Sequence, residues 1–451
     1  MKQVVRQFTV ALFAIALLLP AFAEEPALHP VADWIKSAVI YEVNPRTFSA
    51  TGDFRGIEQR LDYLKELGVT IVWLMPIHPV GQLKKKGSLG SPYAVQDYYA
   101  INPAYGTKED LKRLVGEAHK RGLKIIIDIV ANHTAWDSVL MKHPEFYKKD
   151  AQGNVIPPNP DWTDVAGLDY RNPQLRSYMT EMLKYWLKEF DLDGFRCDVA
   201  GEVPTDFWEN ARAELTKIKL DLIMIAEANK PELLTKAFDL DYAWPFHSTM
   251  TKVLENGASA ETISANWASE RDRYPKGAVE MRFSDDHDET RAIVRFGERG
   301  ALAASALIFT MDGVPVLYNG QEVGDSSESG APALFEGIPV FWQISERRSY
   351  FVPFYKQLIA LRRAHPALQQ GETEWVRNAA PDRVLTYFRR TGGEEYFVAI
   401  NVSNRPYAGV ADVAGEYVDE TPGRDDGARN KVTLPALVLN AWDVRIYRKV
   451  H

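Results

Sequence analysis

Three carboxylates in this chain stand at the ends of short apolar runs. Asp198 closes Gly194-Phe-Arg196-Cys-Asp198, Glu227 follows Leu222-Ile-Met-Ile-Ala226, and Asp288 closes Phe283-Ser-Asp-Asp286-His287-Asp288. A further run from Lys124 to Val130 contains Asp128 and leads into Asn132-His133. A single acid at such a place is ordinarily a helix cap or a solvated group. Acids grouped with Arg196, His133 and His287 are harder to explain that way, because crowded like charges cost energy unless chemistry uses them. Paired carboxylates serve glycosyl transfer, one as nucleophile and the other as acid/base. The chain holds no Gly-x-Ser-x-Gly elbow and no Gly-x-x-x-x-Gly-Lys-Ser/Thr loop, which sets aside the commonest hydrolase and nucleotide chemistries. Asp198 lies two residues past Arg196, so both project from one side of a strand, and a neighbouring guanidinium favours the ionised form that a nucleophile needs. Glu227 follows an apolar run, where partial burial would raise its pKa and keep it protonated as an acid.

Positioning these groups is a task for strands separated by helices. Apolar β-rich runs at 38–43, 69–75, 124–130, 194–199, 222–226, 238–244, 278–283 and 314–318 alternate with amphipathic segments such as Gly56 to Leu67 and Thr107 to Arg121. Continuous apolar strands of this kind form parallel sheets covered on both faces. Eight of them predict a closed (β/α)₈ barrel, a fold that carries its chemistry at the C-terminal ends of its strands. The stretch of about 134–172 is too long and too irregular for a plain connection and reads as a small loop domain inserted after the third strand. Beyond the helix Tyr350 to Arg363 the pattern changes to alternating strands at 384–389, 396–402, 431–434 and 444–448, so residues 367–451 read as an antiparallel β-sandwich.

With these elements in place, the segments resemble the motifs of the α-amylase family of retaining glycoside hydrolases. Asp128-Ile-Val-Ala-Asn132-His133, Gly194-Phe-Arg196-Cys-Asp198 and Phe283-Ser-Asp-Asp286-His287-Asp288 are similar to its first, second and fourth motifs. Gly52-Asp-Phe-Arg-Gly56-Ile57 resembles its first helix, and Gly313-Val-Pro315-Val-Leu-Tyr318 its last strand. The resemblance implies cleavage of α-1,4-glucosidic bonds in starch-derived glucans or maltooligosaccharides, with Asp198 as nucleophile, Glu227 as acid/base and Asp288 holding sugar hydroxyls. It also implies that Arg196 orients Asp198, that His133 and His287 bond the central sugar, and that Tyr93 of Ser91-Pro-Tyr-Ala-Val-Gln-Asp97 stacks on it. An exo-acting α-glucosidase or a transglycosylase would use the same residues. A non-catalytic relative should have lost one of the three acids.

The resemblance requires no cofactor for the chemistry, although relatives often bind calcium. Here the usual ligands are incomplete: Glu202 stands where a histidine is usual and Gly167 where an aspartate is, which leaves Asn132. No metal ligand is therefore assigned. Trp136, Trp162 and Trp342 are candidate sugar platforms, and Lys84-Lys85-Lys86 reads as a solvated loop tip near Tyr93. Cys197, the one cysteine, alternates with Arg196 and Asp198 and should face the packing between barrel and helices.

Composition agrees with an ordinary globular protein, 46% hydrophobic and 25% charged, and a net charge of -8 argues against a nucleic-acid partner. The N-terminus joins Lys2 and Arg6 to an apolar run from Phe8 to Leu19 and then Ala21-Phe22-Ala23, the order of a secretory signal peptide. Residues 1–23 are thus expected to be removed, leaving no membrane span, and the product to be secreted or periplasmic. Residues 24–366 would form the catalytic barrel.

Overall fold

The structure, a computed structural model, describes residues 29, 31–423 and 430–450, with the backbone alone of Ala331 and Pro332. The expected signal peptide lies outside the described residues. Among them, no helix is long and apolar enough to cross a membrane.

Eight parallel strands close a barrel: β1 (Ile40–Val43), β2 (Ile71–Leu74), β3 (Lys124–Val130), β4 (Gly194–Asp198), β5 (Ile223–Ala226), β6 (Leu240–Tyr242), β7 (Glu280–Arg282) and β8 (Val314–Tyr318). They follow one another in chain order, and β1 closes on β8 with Ile40 opposite Val316. The two-residue period of a strand divides their side chains into two cores. Ile40, Trp73, Ile126, Ile225, Tyr242 and Val316 fill the barrel, whereas Tyr41, Val72, Ile127, Phe195, Met224 and Leu317 meet the surrounding helices. Cys197 is buried in the second set, as its parity requires.

Local chemistry starts and stops the helices that position the site. Thr107 and Asp110 form a reciprocal cap on Lys108–Lys120, and Asn172 caps Pro173–Phe190. From that second helix Trp186 donates to the Tyr98 carbonyl, and the Tyr98 hydroxyl sits 2.6 Å from the Val130 carbonyl and 2.8 Å from that of His133. The turn carrying His133 is thereby held from behind. The helix expected over Gly56 to Leu67 is two pieces, Phe54–Glu58 and Leu61–Leu67, the first capped by Asp53. Gly194 opens β4 at φ +153°, and a Cβ there would lie 1.8 Å from the Ile223 carbonyl oxygen. Only glycine allows β4 and β5 to approach this closely, which sets Asp198 and Glu227 on adjoining strand ends.

After β3, His133–Ala135 pairs antiparallel with Val165–Gly167, with single 3₁₀ turns between them. The C-terminal sheet has six antiparallel strands, β9 (Glu372–Trp375), β10 (Val384–Thr391), β11 (Glu394–Asn401), β12 (Tyr407–Asp419), β13 (Lys431–Leu439) and β14 (Val444–Lys449), in the order β9-β10-β11-β14-β12-β13. Leu385, Tyr387, Val398 and Ile446 join the barrel's outer core, while Phe388, Phe397 and Tyr447 meet Val413, Leu434 and Leu437 in a second core. β9 and β12 are absent from the sequence pattern. β12 is rich in Ala and Gly, poor strand formers, and takes its place through pairing with β13.

Candidate active site

Arg196 is the centre of the barrel mouth. Its side chain is fully buried and points inward with Gly194 and Asp198. Nη1 donates to both oxygens of Asp128 at 3.0 Å and to Asp198 Oδ1 at 3.2 Å. Nη2 forms an ion pair with Glu227 Oε2 at 3.0 Å, and Nε donates to the Tyr242 hydroxyl at 3.0 Å. One guanidinium thus ties three carboxylates from β3, β4 and the end of β5. Glu227 Oε2 also accepts the Val199 N–H at 2.7 Å. Asp198 Oδ2 is buried without a hydrogen-bond partner, 3.9 Å from His133 Nε2.

A second chain of contacts starts on β1. Glu42, buried at an inward position two residues past Ile40, receives His287 Nδ1 at 2.5 Å. His287 Nε2 lies 2.8 Å from the Tyr93 hydroxyl, which donates to Asp128 Oδ2 at 3.1 Å. Tyr93 and His287 stack with ring centroids 5.2 Å apart. Glu42 is therefore linked through His287 and Tyr93 to the carboxylate that grips Arg196. Asp288 stands beside His287 Nε2 at 3.4 Å and is more exposed. Its N–H and that of Glu289 donate to Asp286 Oδ1, both at 3.0 Å, so Asp286 shapes this turn.

Burial dominates the electrostatics. Burial and the nearby Glu227 charge raise the Asp198 carboxyl well above its ordinary range, against the pull of Arg196. Arg196 acts in the expected direction, favouring the ionised form of Asp198, while burial and Glu227 oppose it. Asp128 is likewise pushed up to about 6 by burial, Arg196 opposing. Burial would lower His287, but Asp288 and Glu42 outweigh it and hold the imidazolium well above its usual range. His133 is pushed down to about 4 by burial and is neutral near pH 7.

All seven residues singled out in the sequence (Tyr93, His133, Arg196, Asp198, Glu227, His287 and Asp288) come together at this mouth. Glu42, Asp128 and Tyr242 belong with them and were given no role. Glu42 carries a readable signal, a carboxylate inside an apolar strand at the parity of Ile40. Of the tryptophans, Trp162 stands edge-on to His133 with centroids 5.7 Å apart. Trp136 carries the Lys84 ammonium on its ring at 3.5 Å, and Trp342 is held between Phe48, Tyr63 and the Arg60 guanidinium. The Lys84–Lys86 tip is exposed at Lys84 and Lys85, as expected, and tied at Lys86, which pairs with the buried Asp164 at 3.0 Å.

The residues do not fit calcium. A Cβ at Gly167 would meet Pro158 N at 3.1 Å and the Lys148 side chain at 3.2 Å, so the place of a loop carboxylate is filled. The Asn132 amide faces His133 Nδ1 at 3.5 Å, and Glu202 is exposed. Among the described residues no group of three His, Cys, Asp or Glu side chains could hold a metal ion. EDTA is therefore expected to leave activity and thermal midpoint unchanged in a calorimetric scan. A drop of several degrees reversed by calcium would contradict this, because loss of a ligand bound only to the native state lowers stability.

A family model described as the alpha-amylase catalytic domain matches residues 39–155 and 159–346. The chain is 28% identical over 419 residues to Alpha-amylase MalA of Haloarcula japonica, covering 85% of this chain and 59% of that one. It is 28% identical over 444 residues to the intracellular maltogenic amylase of Bacillus subtilis, covering 85% and 73%. It thus spans 59% of MalA and 64% of Alpha-amylase 2 from Dictyoglomus thermophilum, less than two thirds of either relative. Among solved structures it resembles the noncanonic maltogenic alpha-amylase AmyB from Thermotoga neapolitana, with 32% identity, 92% and 99% coverage and a TM-score of 0.84. It also resembles an alpha-amylase from Lactobacillus plantarum, with 30% identity, 92% and 99% coverage and a TM-score of 0.83.

Proposed function

Because the chain belongs to the alpha-amylase family, we propose that it hydrolyses α-1,4-glucosidic bonds of starch-derived glucans or maltooligosaccharides by double displacement, with Asp198 as nucleophile. The observation that carries this reading is Asp198 Oδ2, a buried carboxylate oxygen without a partner whose sister oxygen is fixed by Arg196. An oxygen left free in a buried site is costly unless a reacting atom takes the place of the missing partner. Asp198 bonds to the anomeric carbon as the glycosidic C–O bond breaks, and Glu227 gives its proton to the departing oxygen. Water then attacks the glycosyl ester, Glu227 takes its proton, and Asp198 is released. Neutral His133, Tyr93, His287 and Asp288 surround the sugar, and Arg196 stabilises whichever of the acids is ionised. No cofactor takes part in the chemistry of this family.

Two displacements retain configuration. Proton NMR of the first seconds of maltoheptaose hydrolysis is expected to show the α-anomer before mutarotation. Early β-anomer would exclude the mechanism, and no cleavage at all would leave a binding protein. Export to the periplasm or medium belongs to the same proposal and is supported by the residue order of positions 1–23, as does a division into a catalytic unit at 24–366 and a β-domain at 367–451. The relative named intracellular sets the contrary expectation, which N-terminal sequencing of the mature protein decides.

A further inference from the structure

The segment from Gly81 to Gly90, between β2 and Tyr93, is a strap fastened on both sides of the barrel mouth. At its root the Gln82 and Leu83 N–H groups donate to Asp137 Oδ2 at 2.8 and 3.3 Å. At its tip Lys86 Nζ pairs with Asp164 Oδ1 at 3.0 Å and donates to the Asp161 carbonyl at 3.2 Å, both in the insertion after β3. On its return the Ser88 N–H and hydroxyl donate to the two oxygens of Glu336 at 3.1 and 2.7 Å, and Leu89 N–H donates to the Phe335 carbonyl at 2.9 Å. Arg46 Nη1 then joins the Gly90 and Leu334 carbonyls at 2.8 and 3.0 Å. The second set of fastenings lies in the loop after β8.

Both anchorages rest on the reacting centre. Trp162, between the two Lys86 partners in the chain, stands against His133, which is 3.9 Å from Asp198. Across the mouth, Ser329 donates to the Glu289 carbonyl at 3.0 Å, and a Cβ at Gly330 would lie 3.3 Å from the Asp288 carbonyl oxygen. Tyr93 sits between them, directly after the strap. The strap therefore joins two segments that flank the residues receiving the sugar attacked by Asp198, whereas Glu227 stands at the end of β5.

We propose that the strap walls off the glycone end of the cleft, so that only the non-reducing end of an α-glucan enters and cutting proceeds from that end. This rests on the hydrolase reading above and names its substrate: short linear α-glucan ends, with chain interiors excluded. An open groove lets a chain run through it in both directions, but a wall held by an ion pair, a carboxylate fork and backbone bonds leaves a pocket that a chain end alone can fill.

The test compares maltoheptaose carrying a fluorescent label at its reducing end with the same molecule whose non-reducing glucose is capped by a 4,6-O-benzylidene group. The parent enzyme is expected to cut the free substrate with a kcat/KM at least 100-fold above that for the capped one. Its labelled products should shorten from the unlabelled end by one fixed small unit. The double variant Lys86→Ala with Glu336→Ala, which removes the side-chain fastenings of the strap's tip and return and no residue of the mouth, should narrow that ratio at least tenfold. Capped and free substrates cut within threefold of each other by the parent would overturn the proposal, as would a double variant that discriminates as sharply as the parent. No cleavage of the free substrate would overturn the hydrolase reading and this inference with it.

Discussion

Asp198→Asn is expected to lower maltoheptaose hydrolysis by about four orders of magnitude or more, as is usual when a nucleophile is removed from a site that acts as a unit. Asn is nearly the same size and keeps an oxygen for Arg196 Nη1, which now bonds Asp198 Oδ1 at 3.2 Å, so the fold should persist. An amide cannot form the glycosyl ester. Glu227→Gln should cost a similar factor on maltoheptaose while keeping an oxygen for the Val199 N–H, 2.7 Å away. The two variants part on α-glucosyl fluoride, whose leaving group needs no proton. Glu227→Gln should then release a burst of fluoride, and Asp198→Asn none. Full activity in either variant would refute the assignment, and matching loss on the fluoride would remove Glu227 from the acid role.

The second large effect concerns Arg196, the one cation shared by Asp128, Asp198 and Glu227. Breaking a buried ion pair by removing one partner costs about 3–5 kcal/mol, because the other charge remains buried. Arg196→Met should therefore be inactive and melt several degrees lower at neutral pH. Its pH dependence follows from the sign of the shifts. Arg196 lowers the pKa of both Asp128 and Asp198, and burial raises both. Without it, their folded values rise further above the unfolded ones. A carboxyl with a raised folded pKa contributes stability below its unfolded value and loses it as pH rises through the folded value. The deficit of the variant against the parent should accordingly be small near pH 4 and grow towards pH 8. An equal deficit at both ends in thermal melts would show that packing, not charge, is what Arg196 supplies.

Much of the barrel was legible because strand alternation and helix periodicity are local. The eight apolar runs appear as strands within a residue or two of their expected places, and the parity of Arg196, Cys197 and Asp198 sends the outer two inward and the middle one into the helix packing. The C-terminal sheet was less legible. Four of its strands announce themselves by β-branched and aromatic alternation, while Tyr407–Asp419 is made a strand by the partner beside it.

What the sequence determined by itself was the set of chemical groups at the strand ends, their direction and the barrel that carries them, because spacing along one strand dictates which side chains share a face. Which of those groups meet was decided only by tertiary structure. Closure of the barrel brings β1 to β8 and lets Glu42 seize His287, 245 residues away. The meeting of β3, β4 and β5 divides one guanidinium among three acids, and sets burial and Glu227 against the pull of Arg196 on Asp198. In the same way Lys86 and Ser88, polar residues of an apparently free loop, became fastenings once Asp164 and Glu336 were folded up to either side of it. Burial is the physical reason in each case: the energy of a charge depends on the water it has lost and the partners it has gained, and both are properties of the packed molecule.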